Sequence, residues 1–119
     1  MAARPGPAVI IPVFNAFDEL KSCLASVAAT VGSETQVMII DDASTDARIK
    51  PLIGETIAAG GPRWRFVEQV RNEGFVATAN LGMRLCHTDL VLLNSDTVVT
   101  PGWLERMAIC LASDDRIAT

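Results

Sequence analysis

Histidine, cysteine and positive charge are scarce in this chain, and each scarcity removes a class of function. Its 119 residues hold one histidine, His87, and three cysteines, Cys23, Cys86 and Cys110. An odd cysteine count with no C-x-x-C spacing and no clustered histidine indicates neither a disulfide framework nor a zinc site, so a reducing, cytoplasmic setting is the simplest reading. Ten Lys and Arg stand against fourteen Asp and Glu, a formal charge of -4. The electrostatic footprint of non-specific nucleic-acid binding is therefore missing, and nucleic acid is not an expected partner. No apolar run approaches the roughly 18 residues of a membrane span. The apolar stretch after the start is broken by Pro12 and Asn15, which argues against a signal peptide.

Half of the residues are hydrophobic all the same, and that hydrophobicity belongs to a core. The length suits one domain, residues 1–119, and no second one. Ala8 to Phe14 is a continuous apolar run rich in Val and Ile, as in a strand covered on both faces. Asn15 can then cap a helix carrying Phe17, Leu20, Leu24, Val27 and Val31 at three- and four-residue spacing, ending near Gly32. Gln36 to Ile40 predicts a second buried strand. Ala47 to Ala59 predicts a helix, provided that Pro51 lies in its first turn. After the Gly60-Gly61-Pro62 loop comes a third strand, Trp64 to Val70. Phe75 to Cys86 predicts a helix with Val76, Ala79 and Met83 on its packed face. Leu90 to Leu93 fits a fourth strand. Thr100-Pro101 reads as a cap with proline at the first helical position, opening a helix with Trp103, Leu104, Met107 and Leu111. Arg116 to Thr119 can begin another strand.

This alternation gives an α/β fold, a Rossmann-like, mostly parallel sheet with helices on both faces. Such sheets bind ligands outside the carboxyl ends of their strands, so chemistry is sought there. Asp41-Asp42 ends the second strand. Asp41 serves the turn, with Ser44 or Thr45 capping the next helix and Asp46 at its positive end. The Asp42 carboxylate is left to accept hydrogen bonds from a base imide or a ribose hydroxyl. Asn72 and Gly74 precede the third helix, where Gly74 either takes a positive φ or lets backbone amides approach a diphosphate. Arg71 reads as solvated, and Gly82 as a close-packing position. Asn94-Ser95-Asp96 follows the fourth strand directly, and an acid there suits a divalent cation that takes its other ligands from phosphates and water. His87, at a helix end, is given no catalytic role. The cysteines read as small core residues, and Trp103 as an anchor of the last helix.

Together these segments resemble the nucleotide-binding half of a family 2 glycosyltransferase of the GT-A fold. The resemblance rests on four stretches: Val9 to Asn15; Ile40-Asp41-Asp42-Ala43-Ser44-Thr45-Asp46; Asn72-Glu73-Gly74 with Asn80-Leu81-Gly82; and Leu93-Asn94-Ser95-Asp96-Thr97 ahead of Pro101-Gly102-Trp103-Leu104. It implies a nucleoside-diphosphate sugar donor and a divalent cation, Mn2+ or Mg2+, used for inverting transfer to a saccharide, lipid-linked or other hydroxyl acceptor. Pro12 and Phe14 match positions that border the nucleobase, and Asp42 matches the acid that bonds the base. Asn94-Ser95-Asp96 matches the family's D-x-D motif, with Asp96 as metal ligand and Asn94 able to bond ribose. The family's general base lies in an acceptor-binding half, which implies that residues 1–119 are a truncated enzyme with that base beyond residue 119 and little transfer of its own. An exposed apolar patch is then expected near the last helix and the C-terminus.

Competing readings lack their signatures. A dinucleotide-dependent oxidoreductase needs G-x-G-x-x-G where this chain has Pro12-Val13-Phe14-Asn15-Ala16. A response-regulator-like domain places its acid pair after the first strand. A nucleotidyltransferase-like domain or a non-catalytic nucleotide-binding module stands as the alternative.

Overall fold

The computed structural model describes residues 7–86 and 89–104. In chain order the elements are β1 (Ala8–Val13), α1 (Phe17–Thr30), β2 (Val37–Asp41), α2 (Ile49–Gly60), β3 (Trp64–Glu68), α3 (Phe75–Leu85) and β4 (Leu90–Leu92). All four strands are parallel in the order β3-β2-β1-β4. The register sets Val9 beside Val37 and Val91, and Val13 beside Asp41. The expected α/β alternation is therefore present, with the boundaries of these seven elements within two residues of their expected places.

The two-residue period of a strand divides β1 between two cores. Val9, Ile11 and Val13 pack with Leu20, Cys23, Leu24 and Val27 of α1 and Ile49 and Ile53 of α2. Ile10 packs on the other face with Met38 and Ile40, under Leu81 of α3. That is why β1 and β2 read as unbroken apolar runs, and each such side chain contributes about 1.5–3 kcal/mol on burial. Among the described residues no helix is long and apolar enough to cross a membrane.

Several local expectations are corrected. Asn15 does not cap α1: the cap is Ala16, without a side-chain bond. Asn15 and Ala16 both take positive φ, 54° and 56°, which turns the Asn15 side chain towards the loop after β2. Neither Ser44 nor Thr45 caps α2. That helix starts at Ile49, with Arg48 as an unassisted cap, because Ser44 Oγ is already bonded to Asp41 and to the Asn15 N–H. Asp46 does serve the helix start, accepting the Arg48 N–H at 2.9 Å. Pro51 lies in the first turn of α2, where its missing N–H costs nothing.

On α3 the packed face is Thr78, Ala79 and Gly82. Val76 is 71% exposed and Met83 44%. The helix lies so close to the sheet that a Cβ on Gly82 would stand 2.6 Å from Ile10 Cγ2, so the closest approach is made at the smallest residue. Thr100 and Pro101 do not open a helix either. The Trp103 N–H bonds Thr100 O, and Gly102 has a φ of 84°, which is a turn with Pro at its second position and Gly at its third, as in type II. Helical backbone begins only at Trp103. His87, Met107, Cys110, Leu111 and the expected strand at Arg116 to Thr119 lie outside the described residues. The expected apolar patch near the last helix falls largely there too. Among the described residues, exposed large apolar side chains lie along α3, at Phe75, Val76, Met83 and Leu85, and at Phe14, Val70 and Val98.

Candidate functional site

The sheet order changes direction between β1 and β4, and chain ends that diverge there leave a crevice. An open cleft of about 260 Å3 occupies that place, lined by Pro12, Val13, Phe14, Asp42, Phe75, Thr78, Asn94, Ser95 and Asp96. Six of the eight residues expected at the site therefore share one cavity: Pro12, Phe14, Asp42, Asn94, Ser95 and Asp96. Pro12 is buried, while Phe14 stands 47% exposed at the mouth.

Asp42 is 4% exposed and is held on several sides. Its N–H continues the ladder by donating to Val13 O at 2.8 Å. Its Oδ1 accepts from Gln69 Nε2 at 2.8 Å and from the Glu73 N–H at 2.7 Å, and its Oδ2 accepts from the Gly74 N–H at 2.9 Å. Asn72 Nδ2 donates to Asp42 O at 3.4 Å. The remaining two expected residues, Asn72 and Gly74, thus bear on the cleft through Asp42. Gly74 has a φ of 93°, the conformational reason for a glycine there. Arg71 is exposed, with its Nε 3.6 Å from Glu73 Oε2.

The acidic wall is set by a tight turn. The Leu93 N–H bonds Ile10 O, extending the β1/β4 ladder by one residue, and the Thr97 N–H then bonds Asn94 O at 3.1 Å. Ser95 and Asp96 are the central residues of that turn, and the Asp96 side chain is exposed at the cleft. Helix α1 holds the segment from behind: Cys23 Sγ donates to Asn94 O at 3.7 Å, Ser26 Oγ accepts the Val99 N–H at 3.1 Å, and Thr30 Oγ1 accepts from Trp103 Nε1 at 2.8 Å. These three α1 residues lie on one helix face. Burial, reinforced by the Asp96 charge and opposed by the bond from the Thr97 backbone, pushes the Cys23 thiol up to about 11. Cys23 is a core residue, Cys86 is half-buried, and Trp103 is a buried anchor.

The loop after β2 is pinned by Asn15. Its Oδ1 accepts the N–H groups of Thr45 at 2.8 Å and Asp46 at 2.9 Å, and its Nδ2 donates to Thr45 Oγ1 at 3.1 Å. Asn15→Ala is expected to destabilise the domain by about 2 kcal/mol, since partly exposed side-chain bonds are worth roughly 0.5–1.5 kcal/mol each; urea unfolding measures it. Asp46 in turn is held by Arg48, whose guanidinium donates to both its oxygens at 3.0 and 2.7 Å. That pairing holds the Asp46 carboxyl at about 2, against an ordinary 3.8. A depressed folded value means that its contribution to stability is present above the unfolded value near 3.8 and is lost as pH falls towards about 2. Carbon-detected titration should give Asp46 a midpoint near 2, and Arg48→Gln, which removes the guanidinium but keeps the backbone N–H bond, should raise it part of the way towards 3.8; a wild-type midpoint already near 3.8 contradicts the pairing.

Reasoning from sequence missed Gln69, Thr78, Ser26 and Thr30. Gln69 is the most informative omission. The third strand is shorter than expected, and Gln69 is the first residue past its carboxyl end, where residues of a parallel sheet meet the crevice.

Comparison with known proteins identifies the family and the fold. A model of the family described as Glycosyl transferase family 2 matches residues 8–117. An N-acetylglucosaminyltransferase of Mesorhizobium japonicum is 35% identical over 108 residues, which is 88% of this chain and 25% of that protein. The chain thus spans about a quarter of the length of that relative. Among solved structures, S. aureus TarS 1-349 in complex with UDP-GlcNAc superposes with a TM-score of 0.76 at 20% identity, over 93% of this chain and 32% of that one. The mannosyltransferase PcManGT from Pyrobaculum calidifontis, in complex with GDP-Man and Mn2+, does so with a TM-score of 0.67 at 22% identity, over 79% of this chain and 28% of that one. At these identities the two structures establish the likeness of fold.

Proposed function

The chain belongs to glycosyl transferase family 2, and from that premise we propose that its cleft binds the nucleoside diphosphate of an activated sugar, with a divalent cation, for transfer to a hydroxyl acceptor. The observation that carries the reading is the meeting of an acceptor-only carboxylate, an exposed aromatic ring and a second, exposed carboxylate, Asp42, Phe14 and Asp96, around one cavity at the β1/β4 switch point. Complexes of TarS with UDP-GlcNAc and of PcManGT with GDP-Man and Mn2+ support it by likeness.

Each side chain has a role in this reading. Pro12 and Phe14 border the base, and Asp42 accepts a base N–H. Asn94 is neutral and bonds a ribose hydroxyl, with Ser95 beside it. Asn72 and Gly74 act by holding Asp42. Asp96 is the cation ligand. Among the described residues no three His, Cys, Asp or Glu side chains gather as a metal cage, so in this reading those residues offer the Asp96 carboxylate and phosphate and water fill other positions. That donor set fits Mg2+ or Mn2+, which bind by one or two carboxylates plus substrate phosphates. When bound, such a cation neutralises charge on the departing diphosphate. The acceptor, a saccharide or lipid-linked hydroxyl, and the general base that inverting transfer requires are assigned to parts of the enzyme outside residues 1–119, so the domain alone is proposed to bind donor and transfer little or nothing.

Titration with uridine, thymidine and guanosine diphosphates, with and without Mn2+, tests this. Wild-type protein is expected to bind at least one of them about tenfold more tightly with the metal, and Asp96→Ala to lose that enhancement, since it removes the carboxylate proposed to hold the cation. Folded protein that binds none of the three contradicts the reading, and so does transfer at an ordinary enzymatic rate by the domain alone contradict its donor-only assignment.

A further inference from the structure

Asp42 has more partners than a residue kept for a ligand alone would need, and the way they divide its lone pairs is informative. A carboxylate offers about four acceptor positions, two on each oxygen. On Oδ1 both are taken, by Gln69 Nε2 at 2.8 Å and the Glu73 N–H at 2.7 Å; on Oδ2 one is taken, by the Gly74 N–H at 2.9 Å. One position remains, on the residue that lines the cleft. The Gln69 amide is committed as well: its Nε2 also donates to Thr78 Oγ1 at 2.8 Å, so both of its protons are used. Thr78 is fully buried on the packed face of α3, which makes it a fixed anchor.

We infer that Gln69, backed by Thr78, is a positioning residue that fixes the Asp42 carboxylate with a single acceptor position towards the cleft, and so sets a preference for bases that present an imide N–H. The inference rests on the nucleotide reading above and adds to it the residue that makes the acid selective. A carboxylate free to rotate offers either oxygen, to an amino group as readily as to an imide. One held at both oxygens accepts at one place, and there the ring nitrogen of uracil is a donor whereas that of cytosine is an acceptor facing negative charge. A fixed hydrogen bond to a charged group is worth roughly 1.5–3 kcal/mol, about tenfold or more in affinity.

The test compares uridine and cytidine diphosphates, with Mn2+, on wild-type protein and on Gln69→Leu, Thr78→Val and Thr78→Ser, each checked for folding by thermal melting. Wild-type protein should prefer the uridine ligand by about tenfold or more. Gln69→Leu and Thr78→Val should reduce the ratio to within about threefold, while Thr78→Ser, which keeps the hydroxyl, should retain it. Loss of stability alone would not change a ratio of two ligands. Amide spectra of the free protein give a second readout: in Gln69→Leu the Glu73 and Gly74 resonances should shift. A wild-type preference preserved in Gln69→Leu, or unmoved Glu73 and Gly74 amides, overturns the inference and leaves the nucleotide reading standing. Folded wild-type protein that binds neither ligand overturns base selection by Gln69, and the nucleotide reading falls with it when thymidine and guanosine diphosphates fail to bind as well.

Discussion

Replacing Asp42 with alanine is expected to lower the unfolding free energy by about 3 kcal/mol and to abolish nucleotide binding. The size follows from what the side chain holds. Two backbone N–H groups, those of Glu73 and Gly74, and the Gln69 amide converge on its oxygens, and Asp42 is buried at the end of β2. Alanine removes every acceptor at once, and each donor left unsatisfied in a buried place costs about 1–3 kcal/mol, reduced here because the Glu73–Gly74 loop can turn to water. Asp42→Asn should cost about 2 kcal/mol, since it keeps one oxygen and turns an N–H2 towards one of the donors. Urea unfolding with an unchanged m-value is the measurement. If both variants lie within about 0.5 kcal/mol of wild type, the range of an ordinary surface substitution, Asp42 does not organise the β3–α3 loop.

The second large effect concerns how closely α3 approaches the sheet. Gly82→Ala would set a Cβ 2.6 Å from Ile10 Cγ2 and 3.1 Å from Ile40 Cδ1. Ile10 and Ile40 are wholly buried, so neither side chain has room to yield. Overpacking costs about 1–3 kcal/mol, against which alanine's better helix propensity returns about 1. A net loss of about 1–2 kcal/mol is expected for alanine, and about 3 for Gly82→Val, whose two further methyl groups meet the same wall. Gly54→Ala is the control. That position also lies inside a helix, yet a Cβ there meets nothing within 4 Å, so the same substitution should stabilise by about 0.5–1 kcal/mol. Melting temperatures that move in the same direction for the two alanine variants contradict the close contact of α3 with Ile10. Because Phe75 and Thr78 of α3 line the cleft, the Gly82 variants should also weaken nucleotide binding, and Gly54→Ala should not.

What could be read from the sequence, and what could not, follows from the range of the interactions involved. The strands were legible because burial on both faces leaves an unbroken apolar run, as in Val9-Ile10-Ile11. The strand-end acids Asp42 and Asp96 were legible because the crevice of a parallel sheet has a fixed place. Helix α3 was misread at Val76 and Met83 because periodicity reports a stripe of large apolar residues, whereas the approach to Ile10 is governed by the smallest residue on the helix. Asn15 was assigned to α1 on local preference, but its partners are Thr45 and Asp46, about thirty positions away in sequence. The same holds for Ser26 with Val99 and for Thr30 with Trp103. A hydroxyl on a helix carries no mark of a partner on a distant segment. Pro101 favours the second position of a turn as well as the first of a helix, and Gly102 after it, with its positive φ, decided for the turn.

The central claim is that a nucleoside diphosphate occupies the cleft at the carboxyl ends of β1, β2 and β4. Its most direct test is amide chemical-shift mapping of the isotope-labelled protein with uridine diphosphate and Mg2+, a diamagnetic cation. The amides of Phe14, Glu73, Gly74, Asn94 and Asp96 should shift together and saturate on one curve, while those of Leu24, Ala28, Leu52 and Thr56, which line a separate groove between α1 and α2, stay in place. Shifts that gather in the α1–α2 groove, or none at all at saturating uridine diphosphate or with thymidine or guanosine diphosphate in its place, would contradict it.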